Sequence, residues 1–191
     1  MPDRVMVSSG DGNTLSAIWK GWCELKAVGL IDTLPQIDCV QSASSGASTD
    51  TISQIRSDGI SPVDWSTLTV KQVKASTVAD SISVDRPRDG LAAVKAVIQS
   101  GGEAVTVSDN EILSAIPEMA RSTGVFAEPA AAAPWAGLKR LSRMQCISQH
   151  ELVVCVVSGS GLKDIKNARA SVGEPQLIEA SLQAVRDCQI P

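Results

Sequence analysis

The chain has no tyrosine, one phenylalanine and only 3% aromatic residues among its 191. Platforms for stacking nucleic-acid bases are therefore scarce, and the four tryptophans stand apart at Trp19, Trp22, Trp65 and Trp135. Lysine and arginine form no run and the formal net charge is −4, so the chain lacks an electrostatic footprint for nucleic acid or an anionic membrane surface. The lone histidine, His150, cannot build a histidine-rich metal site and reads as a surface residue. The five cysteines, Cys23, Cys39, Cys146, Cys155 and Cys188, are odd in number and nowhere spaced C-x-x-C. Buried reduced thiols and no metal are expected. Met1-Pro2-Asp3-Arg4 leads into a short strand, not into a signal-peptide core or a membrane span. Neither nucleic acid nor membrane is expected as a partner, and the expected compartment is a reducing cytoplasm.

What the sequence does have is enough apolar residue for one core: 43% hydrophobic over a length that fits a single α/β domain, residues 1–191. Its most informative stretch is Val5-Met6-Val7-Ser8-Ser9-Gly10-Asp11-Gly12-Asn13-Thr14-Leu15. A short apolar strand runs into a glycine-rich turn and then into a helix whose stripe is Leu15, Ile18, Trp19, Trp22 and Leu25, ending near Gly29. Small residues let successive backbone N–H groups approach an anion, and the helix adds the positive end of its dipole. Taken singly, such a turn is more often only a tight connection than a ligand loop.

Further along, Ile37-Asp38-Cys39-Val40 reads as a strand, and Ser44 to Ile55 as a weaker helix opened by small polar caps. Residues 57–79 dissolve into a long irregular excursion on the surface. Regularity returns with Ser81-Ile82-Ser83-Val84, then a helix marked by Leu91, Val94, Val97 and Ile98 and closed by Gly101-Gly102. After the strand Ala104–Val107, Ser108-Asp109-Asn110-Glu111 is a capping box, so a helix starts there. Pro117 falls inside it and predicts a kink or a break. Glu128-Pro129 opens a further alanine-rich helix, with Pro134 implying a later start or a bend. Leu152-Val153-Val154-Cys155-Val156-Val157 is a continuous apolar run, as expected of a strand buried on both faces, and Ser158-Gly159-Ser160-Gly161 closes it. Residues 174–188 read as a terminal helix covering a sheet edge. Alternating strands and helices predict a mainly parallel twisted sheet flanked by helices.

Ligands of such sheets bind beyond the carboxyl ends of strands, where both glycine turns fall. In order along the chain, Gly10-Asp11-Gly12-Asn13-Thr14-Leu15-Ser16-Ala17-Ile18-Trp19-Lys20-Gly21, Ala79-Asp80-Ser81-Ile82, Pro87-Arg88, Ser108-Asp109-Asn110-Glu111-Ile112-Leu113, Thr123-Gly124-Val125-Phe126-Ala127-Glu128-Pro129-Ala130 and Ser158-Gly159-Ser160-Gly161-Leu162-Lys163-Asp164 resemble the carboxyl-terminal half of threonine synthase. The resemblance runs over residues 4–164. It implies an incomplete large domain of a fold-type II pyridoxal-phosphate enzyme. It also implies cofactor-phosphate binding by Gly10, Asp11, Gly12, Asn13 and Thr14, with Ser158 meeting the pyridine nitrogen. Family members often read Gly-Asn-Gly-Gly-Asn at the loop, so Asp11, Asn13 and Thr14 depart from it; the Asp11 carboxylate must point away from the anion or cap the helix. The resemblance implies that Glu128 lies near the cofactor pocket, but a glutamate before proline at a helix start is already explained by dipole complementarity and is assigned no role; Lys163 and Lys166 read as solvated.

The lysine that forms the family's Schiff base lies in a Ser-Phe-Lys-Asp-Arg-like motif, which none of the lysines here matches, so no catalytic residue is assigned. The resemblance implies a part of a lyase converting O-phosphohomoserine to threonine and phosphate, partnered by a lysine-bearing amino-terminal half or by further copies of itself. A part of cysteate synthase or of a threonine dehydratase-like enzyme, a non-catalytic phosphate-binding or assembly module, and a fragment that self-associates through an uncovered sheet face stay open.

Overall fold

A computed structural model describes residues 1–173 and 176–188. Its frame is a four-stranded sheet of β1 (Arg4–Ser8), β2 (Gln36–Ser42), β3 (Ala104–Val107) and β4 (Val153–Cys155), in the order β3-β2-β1-β4. All three pairings are parallel, with Val7 opposite Cys39 and Val5 opposite Val154. Helices α1 (Asn13–Ala27), α2 (Ala47–Ser57), α3 (Gly90–Ser100), α4 (Asp109–Thr123), α5 (Pro129–Arg143), α6 (Ile165–Val172) and α7 (Leu182–Asp187) complete the chain.

Alternation along β1 divides the core. Val5 and Val7 face a layer built from Leu15 of α1, Ile52 and Ile55 of α2, and Val94 and Val97 of α3. Met6 faces the other way, onto α4 and α5 through Ile112, Ile116, Ala132 and Ala136. Gly137 explains how α5 lies so close to the sheet, since a Cβ there would stand 2.6 Å from Val40 Cγ2. The α1 stripe is shallower than its periodicity suggests: Leu15 is buried, Ile18, Trp19 and Trp22 are half-buried, and Leu25 is exposed.

Several expectations change. Helix α2 starts at Ala47 behind Gly46, with no side-chain cap. The 81–84 segment forms no strand: Asp80–Ile82 is a single 3-10 turn, and the Ser45 hydroxyl donates to the Ile82 carbonyl and accepts from the Val84 N–H instead. Residues 59–79 hold no helix or strand, but Val63, Trp65, Leu68 and Val70 pack on the α2–α3 layer, so the excursion is anchored. Ser108 and Glu111 form the capping box. Helix α4 runs unbroken through Pro117, and α5 starts at Pro129 with Pro134 inside it. Each proline loses one helical bond, which costs about 3 kcal/mol in isolation, and burial of Ile112, Ile116 and the α5 alanines offsets it.

The run at β4 is not buried on both faces. It is an edge strand with Leu152 58% and Val154 43% exposed. Of the terminal helix expected over 174–188, residues 174 and 175 lie outside the described residues, and only Leu182–Asp187 is helical. Leu177, Leu182 and Val185 are exposed there, so no packing supports a longer helix. Of the five free cysteines only Cys39 is buried, and burial pushes its thiol up to about 12.

Below the sheet, at the amino ends of the strands, the Arg4 guanidinium donates to Asp38 Oδ1 at 2.8 Å, to Glu151 Oε2 at 2.7 Å and to the Cys146 carbonyl at 3.2 Å. Burial pushes the Asp38 carboxyl above its ordinary range, against the pull of the Glu103 N–H and Arg4. Arg4→Met should therefore destabilise the fold by about 3–5 kcal/mol, because it strands a buried carboxylate. A carboxyl with a raised folded pKa favours the native state at low pH and loses that contribution as pH rises through the folded value. Denaturant melts should accordingly show the Arg4→Met deficit shrinking on acidification.

Candidate functional site

Because β1 and β4 are parallel neighbours, their carboxyl ends deliver the Gly10–Thr14 loop and the Ser158–Gly161 loop to one rim of the sheet. Both line one cleft of about 260 Å³, walled by residues 7–15, Ser81, Ile82, Glu128, Ala130, Val156, Ser158 and Lys163. The sequence could not supply this adjacency, since it is set by strand order.

The loop's polar groups carry the site. Ser9 N–H donates to the Val40 carbonyl and Ser16 N–H to the Gly12 carbonyl. Between them, the backbone N–H groups of Gly10, Asp11, Gly12, Asn13, Thr14 and Leu15 donate to none of the described residues. The first amides of any helix lack intrahelical partners and are usually met by a side-chain cap, water or a ligand. Here the N-cap is Gly12, which has no side chain to offer. The open amides, together with the dipole of the fifteen-residue α1, favour an anion at this rim. Ser9 Oγ, buried beside the loop, also lacks a hydrogen-bond partner among the described residues.

Packing from outside dictates the two glycines. Gly12 has φ +97°, and a Cβ there would lie 2.8 Å from the Asp89 carbonyl oxygen; at Gly10 a Cβ would lie 2.9 Å from Ile82 Cα. The loop is thus pressed against the 81–89 segment on its far side. Asp11 turns the same way: its Oδ1 accepts from the Arg88 N–H at 3.2 Å and its carbonyl from the Asp89 N–H at 2.9 Å. The expected alternative, capping of the helix by this carboxylate, does not occur. Asn13 and Thr14 are exposed at the mouth, and Ser158, also exposed, makes no hydrogen bond within the described residues.

Sequence reasoning gave Glu128 no role and did not pair it with Lys163, which is solvated as expected, its side chain 62% exposed. The Glu128 side chain is only 9% exposed and lines the cleft, and its carboxylate pairs with Lys163 Nζ at 3.2 Å. The start of α5 and the second loop are stitched together by the Glu128 N–H to the Gly159 carbonyl at 3.1 Å and the Gly161 N–H to the Phe126 carbonyl at 3.0 Å. The available signal was the pair Gly159 and Gly161. A Cβ at Gly159 would fall 2.0 Å from Glu128 Oε1, and one at Gly161 2.4 Å from the Phe126 ring. Lys166 is exposed and so is His150, and among the described residues no group of three His, Cys, Asp or Glu could hold a metal.

A family profile described as "Pyridoxal-phosphate dependent enzyme" matches residues 1–159. The chain belongs to the pyridoxal-phosphate dependent enzymes. Within that family it is similar to the threonine synthases of Methanosarcina acetivorans, 34% identical over 98% of this chain and 44% of the relative, and of Methanocaldococcus jannaschii, 34% identical over 97% and 44%. It thus spans somewhat under half the length of the curated relatives it matches. In fold it is similar to the processed form of threonine deaminase isoform 2 from Solanum lycopersicum, with a TM-score of 0.65 at 18% identity, over 90% of this chain and 43% of that one. The α/β frame is thus that of part of a fold-type II pyridoxal-phosphate enzyme. Among the described residues no helix is long and apolar enough to cross a membrane.

The contact between Gly159 and Glu128 is directly testable. Gly159→Ala should cost about 1–3 kcal/mol by overpacking. The same substitution in a Glu128→Ala background should cost less than about 0.5 kcal/mol, because the clashing carboxylate is gone. Equal penalties in the two backgrounds, measured by denaturant melts, would place the carboxylate elsewhere.

Proposed function

We propose that this chain is the cofactor-phosphate-binding part of a threonine synthase-like, pyridoxal-phosphate-dependent lyase, whose complete reaction converts O-phosphohomoserine to threonine and phosphate in a reducing cytoplasm. The carrying observation is the run of open amides from Gly10 to Leu15 at the rim that also presents Ser158. A cradle of backbone donors with a helix terminus behind it fits a phosphate, and the side chains that line it leave the amides uncovered. In this reading the N–H groups of Gly10, Asp11, Gly12, Asn13 and Thr14 hold the phosphate. Ser158 offers the pyridine nitrogen a neutral hydroxyl. When bound, the cofactor supplies an electron sink for bond-breaking next to an amino group.

The chain's own residues bind, orient and wall. Lys163 is held by the Glu128 carboxylate rather than standing free in the cleft, and the 191 residues contain no Ser-Phe-Lys-Asp-Arg-like motif. Turnover therefore calls for a lysine from a further polypeptide segment. The threonine synthase relatives at 34% identity support the synthase reading over a threonine dehydratase-like one. The latter draws on the threonine deaminases among the similar folds.

Pyridoxal phosphate should raise the melting temperature of the purified chain, by an amount equivalent to about 2.7 kcal/mol at a hundred times its dissociation constant. Pyridoxal lacking the phosphate should not. Asp11→Asn keeps the acceptor for the Arg88 N–H and removes a charge near the anion, so it should tighten binding by about two- to fivefold. O-phosphohomoserine added to the chain with cofactor should yield no threonine. Threonine production by the chain alone, or stabilisation by pyridoxal as strong as by its phosphate, would reject the reading.

A further inference from the structure

The phosphate cradle is braced on two sides. The 81–89 segment presses on its outer face, and on the β2 side stands Gln41, a polar side chain only 1% exposed that is not part of the cleft wall. Pairing of β1 with β2 stops at Ser8, opposite Val40. Just beyond, the Ser9 N–H still donates to the Val40 carbonyl at 2.9 Å, but the Ser9 carbonyl takes its bond from a side chain, Gln41 Nε2, at 3.0 Å. A regular parallel ladder would place a backbone N–H of β2 there.

Gln41 is itself clamped. Its Oε1 accepts from the Thr49 N–H at 2.9 Å and from the Thr49 hydroxyl at 3.0 Å, in the first turn of α2. Two donors at one end and a carbonyl at the other admit one orientation of the amide, with oxygen toward Thr49 and nitrogen toward Ser9. The consequence reaches the cradle through a single peptide plane. The Ser9–Gly10 peptide is trans, so its C=O and N–H point in opposite directions. With the carbonyl held toward β2, the Gly10 N–H turns to the other side of β1, where β4 ends and Ser158 stands. That N–H is the first of the open amides. Glycine leaves φ free at this position, so the plane needs an outside hold. A donor on the carbonyl also polarises the peptide and strengthens the N–H at its other end.

We propose that Gln41 is a positioning residue for the phosphate: it aims the Gly10 N–H at the anion and ties the hold on that anion to the first turn of α2. The inference rests on the function proposed above. Gln41 does not line the cleft and acts only through the Ser9–Gly10 peptide.

The test compares the full chain with Gln41→Glu and Gln41→Met. It reads the dissociation constant of pyridoxal phosphate by equilibrium dialysis well below the melting temperature, and the amide resonances by NMR during titration with inorganic phosphate. At neutral pH the glutamate keeps an acceptor for Thr49 but turns a second acceptor toward the Ser9 carbonyl, so the dissociation constant should rise about tenfold. Burial raises the pKa of that carboxyl, and its protonated form donates to Ser9 again, so the deficit relative to the parent at the same pH should shrink as pH falls. Gln41→Met, of similar length but without a donor, should show the deficit at every pH, and it decides the matter should the glutamate variant fail to fold. In the parent, phosphate should move the Gly10 amide proton downfield and shift the Gln41 side-chain amide with it. In the variants the Gly10 response should be lost while those of Asn13 and Thr14 remain. Variants that melt lower but bind as the parent does overturn the proposal. So does a parent in which phosphate shifts Gly10 and leaves the Gln41 amide unmoved, a readout that needs no variant. A parent that binds neither compound rejects the proposed function and this role together, whereas binding indifferent to Gln41 rejects this role alone.

Discussion

The structure depends on the pairing of β1 with β4. A parallel pair brings two strand exits to the same rim, and only that coincidence turns a glycine-rich connection into one wall of a cleft whose opposite wall carries Ser158. Had β4 paired beside β3 instead, the same two loops would lie about two strand spacings, roughly 10 Å, farther apart. The buried Arg4 network works at the other end of the same strands. It joins β1, β2 and the approach to β4, so the register that aligns the rim is fixed by charge pairing below the sheet as well as by the ladder itself.

The helical layers show how strongly packing overrides local preference. Two prolines sit inside α4 and α5 without ending either helix, because both helices bury a long apolar face against the sheet and against each other. Helix α5 is built of alanine and glycine where it crosses Met6 and Val40, and larger side chains there would push it off the sheet. That close approach brings the amino end of α5, with Glu128, to the cleft.

Much of this was legible in the residues. The strand, glycine turn and helix at residues 5–25 mark themselves by a change of hydrophobic period, and Ser108 with Glu111 marks the start of α4 by hydrogen-bonding chemistry alone. Features fixed by strand order were not legible. The run Leu152–Val157 reads as a doubly covered strand because its composition reports the environment it suits, while its place at an edge is decided by which strands the chain contains. What Glu128 does was hidden for a related reason. Glutamate before proline at a helix start has a sufficient local explanation, and its second task arises only when α5 meets Gly159 and Lys163 in space. The segment Ser81–Val84 alternates polar and apolar residues as a strand would, yet Ser45 supplies its backbone partners and holds it as a turn.

A cradle made of backbone amides places its demands on shape rather than on side chains, so Asp11, Asn13 and Thr14 can depart from the family's usual loop without closing the site. The demand then shifts to whatever holds the shape. Here that is the 80–89 segment: Ile82 packs against Gly10, the Asp89 N–H meets the Asp11 carbonyl, and the Asp89 carboxylate accepts from the Ser16 hydroxyl in the first turns of α1. The irregular stretch from 59 to 79 leads into this brace and is pinned to the core by Trp65 and Val70. Its length is thereby explained: it carries the chain from the end of α2 to the outer side of the loop, where a side chain that would repel an anion is turned aside by the Arg88 N–H.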